Sequence, residues 1–272
     1  DIPRCGHGRG RVMLRWALWF AGNGWPIFPA HGIVDGACTC HRGPECSSAG
    51  KHPDTRRGWK DASLDPEQIK AWCARNARTN LALACGNITV LDVDGEKGRQ
   101  SLESLLDRDK AAYLRKTPRA CTGGGGWHLF FQGVDVKNLV GMKPGLDIRS
   151  KGGHVILPPS MHLSGKRYAF DRCPTKFKVQ KFPAWLLRIA KKERAPVQTG
   201  VAADSSVDLD NVPVIQEYRN NTLTSLCGKL FKQGHPVDKI SSILLDINNN
   251  KCQPPLGTAE VERIVWSVSR YH

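Results

Sequence analysis

Val90-Leu91-Asp92-Val93-Asp94-Gly95 places two carboxylates two residues apart inside an apolar, β-branched run. On a strand, residues i and i+2 face the same way with Cα atoms roughly 6.5–7 Å apart. The run therefore predicts Asp92 and Asp94 side by side at the end of a buried strand, ahead of a glycine turn. Paired acids aimed at one point suit hard divalent cations such as Mg2+ or Mn2+, which take oxygen ligands. Two such ions about 4 Å apart hold the attacking and leaving oxygens of a phosphoryl transfer. Gly145-Leu146-Asp147-Ile148-Arg149-Ser150-Lys151 repeats the logic. Asp147 and Arg149 share one strand face and Leu146 and Ile148 the other, so Asp147 completes a metal cage and Arg149 offers a planar fork for phosphate.

A second set of polar residues lies in Thr122-Gly123-Gly124-Gly125-Gly126-Trp127-His128-Leu129-Phe130-Phe131. Glycines ahead of a strand admit close backbone approach and present N–H groups to phosphate oxygens. The expected triphosphate grip is thus His128 and Arg149, with Lys151 and the backbone of Gly125 and Gly126. A third set is Cys38-x-Cys40-x5-Cys46-x5-His52, with His41 as a spare ligand, in a stretch (36–53) too poor in apolar residues to make a core. Three thiolates and an imidazole form a closed tetrahedral Zn2+ site. Such a site is structural, because four protein ligands leave no open position and metal binding folds the loop.

The elements that must position these groups read as an α+β domain over 13–190, a linker over 191–212 and three helices over 213–272. Residues 12–24 predict a helix with Val12, Leu14, Ala17, Leu18, Phe20 and Ala21 inward, followed by a proline-broken edge strand at 25–29. Asp65-Pro66-Glu67-Gln68 marks a helix start. Strands are expected at 80–85, through the Asp92 run, from 127, from 145 and over 154–158, with a helix over 99–115 and another from Pro183. The C-terminal patterns are 213–233, 236–248 and 258–271, parted by Gly234, Pro236 and Pro254-Pro255.

Composition narrows the partner. A net charge of +15 over 272 residues favours a polyanion, since Lys and Arg release condensed counterions from phosphates. A membrane surface is the competing partner, but no apolar run has spanning length and no basic amphipathic helix stands out. Ten cysteines without a signal peptide, and unevenly spread, fit a metal site plus reduced thiols in the cytoplasm better than a disulfide framework. The chain begins at Asp1, as a fragment or processed chain would. Met13 is a candidate start, with Arg4, Arg9 and Arg11 forming a basic arm before it.

Taken in order, Gly36-Ala37-Cys38-Thr39-Cys40, Gly50-Lys51-His52-Pro53, Gly58-Trp59-Lys60, Leu91 to Asp94, Gly123 to His128, Gly145 to Arg149 and Pro158-Pro159-Ser160 resemble the bifunctional primase-polymerase branch of the archaeo-eukaryotic primase superfamily. The likeness covers roughly 13–190. Arg219-Asn220-Asn221, Asn249, Cys252 to Leu256 and Ile264 to Tyr271 are similar to the helical primase C-terminal domain. The resemblance implies a catalytic core with an RRM-like half and a two-metal nucleotidyl transfer. Its first-motif acids fall on Asp92 and Asp94, its second-motif histidine on His128 and its third-motif acid on Asp147. The zinc loop matches a stem found in many members. Gly126 departs from the small polar residue usual two before the histidine, leaving Thr122 to supply any hydroxyl.

The expected activity is a template-dependent DNA primase and polymerase of a plasmid, phage or mobile element. Its partners would be single-stranded template, primer and NTPs or dNTPs, with Arg56, Arg57, Lys60 and the N-terminal arm on template phosphate. No Gly-x4-Gly-Lys-Ser/Thr occurs, which assigns any helicase to a separate or missing segment. A metal-dependent nuclease would need no triphosphate grip. A non-catalytic zinc-bearing initiator would leave three aligned acids unexplained.

Overall fold

The computed structural model describes residues 9–193, 215 and 219–270. Residues 194–212 of the expected linker, and Arg4 of the expected arm, lie outside the described residues. The chain divides into two compact units, 1–195 and 196–272.

In the first unit the order is α1 (Arg9–Gly22), β1 (Ile27–Ala30), β2 (Ile33–Val34), β3 (Ala37–Cys38), α2 (Pro66–Arg75), β4 (Asn80–Ala84), β5 (Ile88–Val93), α3 (Gly95–Glu103), α4 (Arg108–Leu114), β6 (Arg119–Cys121), β7 (Trp127–Gln132), β8 (Leu139–Lys143), β9 (Leu146–Arg149), β10 (His154–Leu157), β11 (Ala169–Arg172) and α5 (Ala184–Glu193). The main sheet is antiparallel with order β11-β6-β7-β5-β9-β8; β1-β4-β10 form a second sheet and β2-β3 a short hairpin. The fold is α+β with antiparallel sheets.

Period-two alternation divides the main sheet into two faces. Val90, Ala120 and Phe130 pack with Phe20 of α1 and with Leu83 and Leu157 of the smaller sheet. Leu91, Val93, Leu129, Phe131, Leu146 and Ile148 pack with Leu102 of α3, Leu114 of α4 and Leu186 of α5. Because β5 and β7 are covered on both faces, their sequences are nearly continuous apolar runs. Phe130 and Phe131 are fully buried on opposite sides, each contributing roughly 1.5–3 kcal/mol of transfer free energy. An aspartate within such a run has lost most of its water, which makes its position costly unless it has partners.

Several boundaries differ from the sequence reading. The first helix buries Met13 and Trp16 together with Ala17, Phe20 and Ala21, while Val12 and Leu14 are only partly covered. The single helix expected over 99–115 is two, broken where the Asp107 carboxylate accepts from Lys110 N at 2.8 Å and starts a new helix. Asp65 caps α2 through Glu67 N at 3.0 Å. The expected edge strand is β1, at the margin of its sheet.

The second unit contains α6 (Arg219–Lys232), α7 (Val237–Lys251) and α8 (Thr258–Ser269) around Leu223, Leu230, Ile240, Leu244, Val261 and Val265. Its first helix starts at Arg219, not 213: Ile215 is instead bridged to Cys252. Buried Asn248 accepts from Leu256 N at 2.7 Å and donates to Leu256 O at 2.9 Å, fastening the proline-rich turn before α8. No helix among the described residues is long and apolar enough to cross a membrane. The described cysteines are all free thiols.

Candidate active site

β5 lies between β7 and β9 in the main sheet, and the register sets Asp92 opposite His128 on one side and opposite Asp147 on the other. Directly paired residues of antiparallel strands project to one face with Cβ atoms about 4.5–5.5 Å apart. Three adjacent strands thus carry a row, His128–Asp92–Asp147, beyond the apolar layer formed by Val90 and Phe130. Arg149, two residues after Asp147, joins the same face. Its Nε lies 3.3 Å from Asp92 Oδ2 and its Nη2 2.6 Å from Asp147 Oδ2, so one guanidinium bridges both acids. His128 Nε2 lies 3.4 Å from Asp92 Oδ1, while its buried Nδ1 has no hydrogen-bond partner. The register of β8 shifts between Leu139 and Lys143, and within that irregular stretch Gly141 N donates to Asp147 Oδ1 at 2.6 Å.

Asp94 differs from the expected strand residue. β5 ends at Val93, and Asp94 occupies the N-cap of α3, where its carboxylate makes no capping hydrogen bond and stands exposed. An N-cap aspartate normally accepts from the first turn. This one does not. Its backbone is tied down instead, Asp94 N to Gly145 O at 2.7 Å and Gly98 N to Asp94 O at 2.9 Å. Close approach explains two glycines here: a Cβ on Gly98 would meet Gly145 O at 2.2 Å, and one on Gly126 would meet Val93 O at 2.2 Å.

The charges oppose one another. Burial raises the Asp92 carboxyl, but His128 and Arg149 outweigh it and hold the group below the ordinary carboxylate range. Asp147 goes the other way: burial raises it, the Gly141 N–H and Arg149 lower it, and Asp92 and Asp94 add repulsion. Three oxygen-bearing side chains on one face, partly neutralised by one guanidinium, form a donor set suited to hard cations. Their oxygens are not drawn into one tight cluster. Among the described residues, only the Cys/His group has all its ligand atoms within 4.8 Å of one another.

That group is Cys38, Cys40, Cys46 and His52. His52 Nε2 lies 3.4 Å from both Cys38 Sγ and Cys46 Sγ. A tetrahedral zinc with Zn–S about 2.3 Å and Zn–N about 2.0–2.1 Å has S···N edges of about 3.5 Å, so these residues fit the ion. The three cysteines are buried with Ile33 and Ala49 in a small cluster of their own. His41 is exposed and outside the group. His31, unnoticed in the sequence, packs on His52 with ring centroids 4.4 Å apart and reaches Asp54 at 3.6 Å.

The glycine run does not present a row of open N–H groups. Gly125 N donates to Thr122 O at 3.1 Å and Gly126 N to Thr122 Oγ1 at 2.9 Å, closing a turn between β6 and β7. The amides of Gly125 and Gly126 and the Thr122 hydroxyl are therefore engaged within the turn. Lys151 is set apart from the acids: it lines a cavity of about 790 Å³ with Trp59, Lys60 and Asn87, and none of the three aspartates lines it. Arg56, Arg57 and Lys60 are exposed as expected beside Arg75, with Arg57 paired to Asp61 at 2.7 Å. Sequence reasoning missed Tyr168 and His162. The Tyr168 ring lies 5.9 Å from those of both His128 and His162. Tyr168 is buried and its hydroxyl is raised, by burial first and then by the charges of Asp92 and Asp94. Both residues sit in or after a loop without periodicity, so no pattern marks them.

A family model described as "Bifunctional DNA primase/polymerase, N-terminal" matches residues 17–185, and one described as "Primase C terminal 1" matches residues 211–272. No curated protein matches the chain.

Proposed function

Because the chain belongs to the bifunctional DNA primase/polymerase family, we propose that it is a template-dependent DNA primase and polymerase acting by two-metal nucleotidyl transfer. The observation that carries this reading is the row His128–Asp92–Asp147 across three paired strands, with the uncommitted carboxylate of Asp94 at its end. Asp92, Asp94 and Asp147 would hold two Mg2+ or Mn2+ ions. Ions held there would supply Lewis acidity for the attacking hydroxyl and positive charge for the leaving pyrophosphate.

The remaining roles fall to the chain's own groups. Arg149 bridges Asp92 and Asp147, and its fork would be the group offered to triphosphate oxygens. His128, held on Asp92 through Nε2, would be the imidazole of the same face. The six-stranded sheet would be the RRM-like half, and Zn2+ on Cys38, Cys40, Cys46 and His52 would be structural. Arg56, Arg57, Lys60 and Arg11 would track the phosphates of single-stranded template, and the C-terminal helices would serve initiation. A helicase, where needed, would come from another segment or chain, in replication of a plasmid, phage or mobile element.

Extension of a primed template tests the reading. The full chain with Mn2+ or Mg2+ and dNTPs should lengthen the primer, and Asp92→Asn should lower the rate by at least about 10³-fold, more than one lost electrostatic donor typically costs. Extension by the variant at the wild-type rate would contradict the assignment of Asp92.

A further inference from the structure

The glycines before β7 have a steric partner outside the catalytic row. A Cβ on Gly123 would fall 2.1 Å from His162 Cβ and 2.7 Å from its Cγ; one on Gly124 would lie 3.7 Å from its Cε1 and Nε2. The run is glycine where the imidazole of His162 lies over it.

That ring is fixed in orientation and in tautomer. Ser164 N donates to His162 Nδ1 at 3.1 Å, and the Ser164 hydroxyl donates to Gly123 O at 2.8 Å. Nδ1 is therefore an acceptor, so the neutral ring carries its proton on Nε2. That N–H is the atom beside Gly124. The next glycine contact places this loop at the acids, since a Cβ on Gly126 would lie 3.2 Å from Asp94 Cα. Asn80 Nδ2 donates to Gly50 O at 2.9 Å and to Met161 O at 2.8 Å, which fastens the residues before Lys51 and His162 to one side chain. Burial and the Lys51 charge lower the proton affinity of His162, and Asp94 raises it. Lys51 is exposed, and its carbonyl accepts from His154 Nε2 at 3.0 Å, which ties the lysine's backbone to β10.

We propose that His162 Nε2–H and the Lys51 ammonium bind the β- and γ-phosphates of the incoming nucleoside triphosphate. The inference rests on the nucleotidyl-transfer reading above. Asp94 alone would repel a polyanion. With a cation on the acids, the triphosphate is bracketed by positive charge at both ends: the metal side at Asp94, and Lys51 with the His162 donor at the other. Lys51 adjoins the zinc ligand His52, so the folded zinc loop would also hold this lysine in place.

The test compares the full-length wild type with His162→Ala, His162→Gln and Lys51→Ala. It reads KM and kcat for dATP in primer extension, and Kd for dATP and dAMP with Mg2+ by calorimetry. His162→Ala should raise KM and the dATP Kd by roughly 10- to 100-fold, the effect of one hydrogen bond to a charged group, and leave the dAMP Kd unchanged. His162→Gln, which retains an amide donor near Nε2, should recover most of the loss. Lys51→Ala should weaken dATP alone, with one zinc per chain retained. A wild-type KM in His162→Ala, or equal losses for dATP and dAMP, would overturn the proposal even in an active polymerase. A wild type that extends no primer yet shows the dATP-selective loss would sink the polymerase reading and leave the phosphate site standing.

Discussion

Asp92 is the residue where the physical conflict is sharpest: an acid in a doubly covered strand, kept ionised by one imidazole and one guanidinium. His154, in the smaller sheet, illustrates the opposite solution. Burial holds His154 below its ordinary value, the Arg149 charge adds to this, and the hydrogen bond to Lys51 O opposes it. The unfolded chain then takes up a proton before the folded one does, so stability is full above the unfolded value near 6.5 and falls as pH drops toward the lower folded pKa. Urea unfolding at pH 7.5 and 5.5 should show that decline, and His154→Gln, which keeps a donor for Lys51 O, should make it shallower. An unchanged pH dependence in the variant would show that His154 carries none of it. At this scale much was legible in the sequence. Alternation alone put Asp147 and Arg149 on one face and Leu146 and Ile148 on the other, as the structure has them. The pairing of Asp92 with both His128 and Asp147 was not legible, because strand register is a long-range choice.

At the scale of elements, the site depends on the junction of β5 with α3, where the β6–β7 turn presses on the backbone around Asp94. Gly126→Ala would place a methyl 2.2 Å from Val93 O and 3.0 Å from Gly95 N, and both contacts are backbone. The expected cost is about 1–3 kcal/mol of stability, the usual penalty of overpacking, with a displaced Asp94 and reduced extension. Gly125→Ala meets no neighbour but sits at φ +84° and should cost only backbone strain, about 1 kcal/mol. Urea unfolding and extension rates of the pair separate the two effects; equal activity losses would contradict the steric account. The loop that carries the Cys/His group is the other dependent element, since Cys38, Cys40 and Cys46 make up most of their own small cluster. One zinc per chain should be found by elemental analysis, and chelation or Cys46→Ser should expose the loop to protease at residues 36–53. A metal-free protein with a protected loop would contradict the site. The grouping of Cys38, Cys40, Cys46 and His52 was legible from spacing, because thiolates in a coreless stretch have few other uses. The break between α3 and α4 was not, since Asp107 lies among charges that suit a continuous helix equally well. The glycine run was read as open to phosphate, whereas its steric partner, His162, lies 39 residues later in a loop.

Over the whole molecule, two compact units carry a net charge of +15, a balance that favours phosphate-rich partners whose affinity falls with salt. That charge says nothing of chemistry; the aspartate row does. The most direct test of the account omits the primer. The full chain is incubated with unprimed single-stranded template, Mn2+ or Mg2+, and mixed NTPs and dNTPs, beside Asp92→Ala/Asp94→Ala. Metal-dependent oligonucleotide products are expected from the wild type and none from the double variant. Template bound by both proteins with no synthesis by either, primed or unprimed, would contradict it.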